Sequence, residues 1–187
     1  MAAPARTATI RAFRGLRYDA ARVDLVDVVA PPYDVIDDAE HVRLLAQEPH
    51  NVVRLILPDH GTSDARTLLD AWQEEGVLAR DDGPCLYLVE QEFTGPDGVA
   101  RVRRGFIGLV GVEDYAEGGV LPHERTHDGP VEGRLALLRA TRTQLSPIFL
   151  LFHDPDRRAE EHLLAARDAE PFADVVDHSG TRHRAWR

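Results

Sequence analysis

The feature that most constrains this chain lies in its middle. Thr94-Gly95-Pro96-Asp97-Gly98 is a turn-rich run between two apolar stretches, residues 85–93 and 99–112. Gly, Pro and Asp concentrated between β-prone runs signal a hairpin, so this part of the chain must pair antiparallel. The segments around it alternate in kind. Residues 10–14, 51–57, 147–153 and 172–178 read as strands, and 24–30 is a further apolar stretch ending in Pro31-Pro32. Asp37 or Asp38 can cap a helix running to about Glu48, with Val42, Leu44 and Leu45 on its apolar face and Pro49 ending it. A helix from Thr62 or Ser63 carries Leu68, Leu69 and Trp72, with Gly76 near its end. Pro130 suits the first position of another, which runs to about Thr143, and a fourth covers about 156–168. The expected class is α+β: a mixed sheet with an antiparallel hairpin and about four helices, in a single domain over residues 1–187.

Charge narrows the chemistry. All 22 basic residues are arginine, against 32 acidic ones, for a net charge of −10. Without a lysine there is no Walker A loop, no pyridoxal phosphate Schiff base and no kinase site built on a strand lysine. Any fixed cation is a planar guanidinium fork, suited to carboxylate or phosphate. The acidic balance argues against nucleic-acid and membrane partners. Cys85 is the lone cysteine and sits in an apolar run, so a buried, inert thiol is expected. With no signal peptide or spanning run visible, the expected location is the cytoplasm.

Three constellations carry candidate chemistry. His123-Glu124-Arg125-Thr126-His127 has the H-E-x-x-H pattern, in which two histidines on one helical turn bind zinc and the glutamate acts as base. Here Pro122 precedes it and Gly129-Pro130 follow it, so the helix starts only afterwards, and no zinc is expected. That helix start offers free N–H groups and a positive dipole end. Arg125 lies just before it, Arg134 one turn inside, Thr126 adds a hydroxyl and Arg139 lies further along: a phosphate cradle, or else a surface loop whose arginines pair with Asp128 and Glu132. In Ala30-Pro31-Pro32-Tyr33-Asp34-Val35 the prolines stiffen the backbone, presenting Tyr33 and Asp34 rigidly or simply making a turn. In Asn51-Val52-Val53-Arg54, an arginine within an apolar run needs an anion, from the protein or from a ligand. Arg101-Val102-Arg103-Arg104 reads as a solvated strand face, and Ser146 as a turn residue able to offer a hydroxyl.

These stretches, together with Ile10-Arg11-Ala12-Phe13-Arg14-Gly15-Leu16-Arg17-Tyr18, Gly133-Arg134-Leu135-Ala136-Leu137-Leu138 and Leu145-Ser146-Pro147-Ile148-Phe149, resemble the prokaryotic family catalogued as domain of unknown function 1015. The resemblance covers nearly the whole chain. It implies a relationship to the ParB/sulfiredoxin-like superfamily, which includes free-serine kinases and holds nucleotide phosphates on a short signature before a helix. It also implies a longer protein, of which residues 1–187 are the amino-terminal part, lacking a downstream Asp-Gly-His-His-Arg segment. His127 is not part of the family pattern.

The expected function is therefore the nucleotide-binding portion of a phosphotransferase acting on a small serine-like substrate. Glu124 or Asp34 would be the base or magnesium carboxylate. His123, Arg125, Thr126 and Arg134 would hold phosphate, and Tyr33, Asn51, Arg54 and Ser146 the substrate. The cofactor would be ATP or ADP with magnesium, and the oligomeric state is left open. A non-catalytic ligand- or partner-binding module and a zinc hydrolase are the alternatives.

Overall fold

A computed structural model describes residues 8–122 and 128–187. The chain runs β1 (Ile10–Arg11), β2 (Leu16–Tyr18), α1 (Leu25–Val28), α2 (Asp38–Gln47), α3 (Val53–Ile56), α4 (Thr62–Glu74), β3 (Leu78–Arg80), β4 (Tyr87–Thr94), β5 (Ala100–Ile107) and β6 (Leu109–Val110). A 3₁₀ turn, Tyr115–Glu117, precedes α5 (Asp128–Thr141), α6 (Arg158–Ala166), β7 (Ala173–Val176) and β8 (Arg182–Trp186). The α+β class is as expected. The hairpin forms where its turn residues place it, from Tyr87 opposite Ile107 to Thr94 opposite Ala100.

The principal sheet has the order β5-β4-β8-β7, every pairing antiparallel. Two small ribbons, β1–β6 and β2–β3, flank it. The second ribbon and helices α3 and α4 enclose a core of Leu55, Leu69, Trp72, Val77 and Leu78, against which Leu16, Tyr18, Val23, Leu68 and Leu145 pack. Asp37 caps α2 by accepting from the Glu40 N–H, as its sequence predicts. Of that helix's apolar residues, Leu44 is buried while Val42 faces solvent. Gly76 takes a positive φ of 73° as the chain leaves α4 for β3. At Gly15 a Cβ would lie 2.4 Å from the Tyr87 hydroxyl, so only glycine lets that hydroxyl reach the Gly15 N–H at 2.6 Å.

Three segment expectations are corrected. Residues 51–57 are not a strand but contain the helical turn α3. Asn51 turns its Oδ1 onto the Val53 N–H, and Leu57 N–H closes onto Val53 O, so local bonds win over sheet pairing. Residues 147–153 have no regular structure, and no backbone hydrogen bond joins them to a strand among the described residues. The helix expected to open at Pro130 begins at Asp128.

Candidate functional site

Four of the sequence-derived residues, Tyr33, Asn51, Arg54 and Arg134, gather around α3. The Pro31-Pro32 stretch ends in a turn closed by Val35 N–H on Pro32 O at 3.1 Å. Within it Tyr33 is half-buried and Asp34 exposed. Arg134, from the second turn of α5, lays its guanidinium over the Tyr33 ring at 4.2 Å and donates to Ile56 O at 2.8 Å. A planar cation stacked on an aromatic face and pinned at one nitrogen has lost most of its rotamer freedom before any ligand arrives. No carboxylate among the described residues pairs with it. Its helix is held from behind by packing on α4, where Arg66 donates to Thr141 O at 3.1 Å and Leu137 is buried.

Asn51 lies beneath. It is fully buried, and its Nδ2 donates to Asp27 O at 2.7 Å and Val29 O at 3.1 Å, so the amide ties α1 to α3. Arg54 donates to Leu45 O at 2.5 Å, and its buried Nε has no partner. Among the described residues Arg54 thus meets a main-chain carbonyl and no carboxylate. Ser146 is half-buried, and its carbonyl accepts from the Gln144 side chain at 3.1 Å. His123, Glu124, Arg125, Thr126 and His127 lie outside the described residues. Among the described residues no cluster of three or more His, Cys, Asp or Glu could hold a metal ion.

Sequence reasoning missed the strongest electrostatic centres. Asp81 is buried and accepts from Arg17 Nε (2.9 Å) and Nη2 (2.5 Å), the Tyr87 hydroxyl (2.5 Å) and Arg187 Nη1 (2.8 Å). The Arg17 fork holds its carboxyl well below the usual range against the opposing effect of burial, helped by Tyr87 and Arg187. Burial pushes the Tyr87 phenol up, and its bond to Asp81 adds to that. Arg17, Asp81 and Arg187 wall a cleft of about 440 Å³ with Tyr18, Arg80 and Phe172 among its lining. The second centre is Glu90, whose side chain is wholly buried on β4. It takes Arg104 and Arg184 at 2.6 Å each, with Arg167 at 3.6 Å, while Arg184 also bonds Glu92. The usable signal was a carboxylate inside the apolar run 86–93. Its partners come from β5, β8 and the end of α6, which no local pattern reveals.

The α+β fold, with an arginine-bearing helix set against a proline-stiffened turn, gives the class. The chain belongs to the family described as a protein of unknown function, DUF1015, whose family model matches residues 10–187. No curated protein and no solved structure matches it. Among the described residues no helix is long and apolar enough to cross a membrane.

Proposed function

We propose that this chain is the nucleotide-phosphate-binding portion of a phosphotransferase acting on a small hydroxyl substrate of the serine type. The carrying observation is the Arg134–Tyr33 stack at 4.2 Å, a preset guanidinium in the early turns of α5 with no carboxylate partner among the described residues. An oriented cation near a helix start favours phosphate oxygens. Exposed Asp34 adjoins Tyr33 in the same turn and supplies a carboxylate for magnesium or for the substrate hydroxyl. His123, Arg125 and Thr126 would complete the phosphate contacts, and Glu124 is the alternative base. ATP or ADP with magnesium would supply the transferable group, and positioning with charge neutralisation would do most of the catalysis. The resemblance to ParB/sulfiredoxin-like proteins supports the same reading.

Calorimetric titration with ADP, ATP and CTP, each with magnesium, tests it. Binding is expected for at least one, with Arg134→Ala weakening it about tenfold, or roughly 1.4 kcal/mol. Arg158→Ala, on distant α6, serves as a control that leaves affinity unchanged. Absence of heat at millimolar nucleotide refutes the proposal. Binding without phosphoserine formation from serine overturns the transfer step and leaves a nucleotide-binding module.

A further inference from the structure

A row of three polar side chains crosses the principal sheet. Arg103 on β5 lies opposite Gln91 on β4, and Gln91 lies opposite His183 on β8. Arg103 Nε donates to Gln91 Oε1 at 2.8 Å, the one hydrogen bond of that guanidinium among the described residues. With its oxygen so engaged, the Gln91 amide presents its N–H₂ to His183 Nδ1, 3.1 Å away. An amide N–H₂ can only donate, so Nδ1 is the bare, accepting nitrogen of the ring. The ring proton then sits on Nε2, which donates to Asp177 Oδ2 at 2.7 Å. Burial raises the Asp177 carboxyl, but bonds from Ser179, His183 and Thr181 outweigh it and bring it down to about 2. Asp177 is therefore a fixed acceptor at one end of the row, and Arg103 a fixed donor at the other.

We propose that this row is a proton switch, in which protonation of His183 at Nδ1 reverses the Gln91 amide and releases Arg103 from it. A charged imidazole donates from both nitrogens. Its new Nδ1–H cannot face the amide N–H₂, so Gln91 must turn its oxygen to the ring. The N–H₂ then meets the Arg103 Nε–H, again donor against donor. Arg103 keeps only its contacts with the Phe93 and Phe149 rings, at 5.5 and 5.6 Å. The His183 side chain is about one-third exposed, so solvent supplies the proton. Few charges share its face of the sheet. Arg101 and Arg103 stand there on β5, with Arg101 held by Asp97, and Asp177 follows β7. Glu90, Glu92, Arg104, Asp174, Arg182 and Arg184 alternate onto the opposite face, where Arg167 at the end of α6 also lies, against Glu90. Helix α1, packed against β7, brings Asp24 and Asp27, which are bonded to the Val26 N–H and the Gln47 amide, and His178 also meets Gln47.

NMR on the intact ¹⁵N-labelled chain tests both halves of the switch. Long-range proton–nitrogen correlations of the His183 ring at pH 8.5 are expected to show the proton on Nε2 and none on Nδ1. Through a titration to pH 5, the Arg103 Nε–H signal is expected to move with the same midpoint as the His183 ring and to lose its protection from solvent exchange. Gln91→Glu supplies a carboxylate that accepts from Arg103 Nε and His183 Nδ1–H together, so no reversal is needed. In that variant the Arg103 signal is expected to stay protected at pH 5. A neutral His183 ring with its proton on Nδ1 overturns the proposal. So does a wild-type Arg103 signal that ignores the His183 titration, or a loss of protection at pH 5 that persists in Gln91→Glu.

Discussion

Replacing Asp81 by Asn probes the strongest buried charge centre. The carboxylate has 3% of its side chain exposed and accepts four hydrogen bonds, from the Arg17 fork, the Tyr87 hydroxyl and Arg187. Arg187 is more than half exposed, so its share is within the small range of surface ion pairs. Arg17 is about a quarter exposed and stacks on the Phe172 ring at 4.2 Å, so its pairing with Asp81 counts for more. An amide in place of the carboxylate removes the charge and turns an N–H₂ donor toward donors. Breaking a buried pair from one side costs about 3–5 kcal/mol. With Arg17 partly solvated, the lower end, about 3 kcal/mol, is expected. In a domain of this size that lowers the melting temperature by about 6–12 °C. Urea unfolding followed by circular dichroism measures it, in a cycle with Tyr87→Phe. The pH dependence is a second readout. The folded carboxyl titrates below its unfolded value of about 3.9. Its stabilisation is therefore present above that value and is lost as pH falls toward the folded pKa. Asp81→Asn should flatten the acid limb of the stability curve. A loss under about 1 kcal/mol, with no coupling to Tyr87, would refute the reasoning.

Glu90→Gln leaves Arg104, Arg184 and Arg167 around a neutral amide in the sheet interior and should cost about 3–5 kcal/mol by the same unfolding measurement. His50 lies between Glu48 and Glu75, each at 3.0 Å, and these carboxylates raise its pKa against the opposing effect of burial. Its stabilisation is complete below the unfolded value near 6.5 and fades as pH rises through the folded one. The stability gap between wild type and His50→Gln should accordingly be wider at pH 5.5 than at pH 8.5.

Local chemistry made much of the fold legible. The turn residues 94–98 fixed the hairpin register, Asp37 marked the start of α2, and Leu69 with Trp72 marked the buried side of α4. Each of these signals acts within a few residues, where backbone geometry and side-chain spacing settle the outcome. Part of the candidate site was also legible. Tyr33 and Arg134, about a hundred residues apart in sequence, were singled out separately and meet in one stack.

The errors have a common cause. Residues 51–57 have strand composition, yet Asn51 found carbonyls on α1 and turned its own oxygen onto Val53, which favours a helical turn. Residues 147–153 also have strand composition but have no ladder partner among the described residues, so propensity alone gave them no regular structure.

The sequence by itself determined the class of fold, the hairpin, the starts of α2 and α4 and the rule that every fixed cation is an arginine fork. Only the tertiary structure decided which carboxylate each fork meets. Asp81 draws Arg17 from β2 and Arg187 from just beyond β8, and Glu90 draws its arginines from three separate elements. Ion pairing in a low-dielectric interior depends on distance in space, and distance in sequence carries almost no information about it.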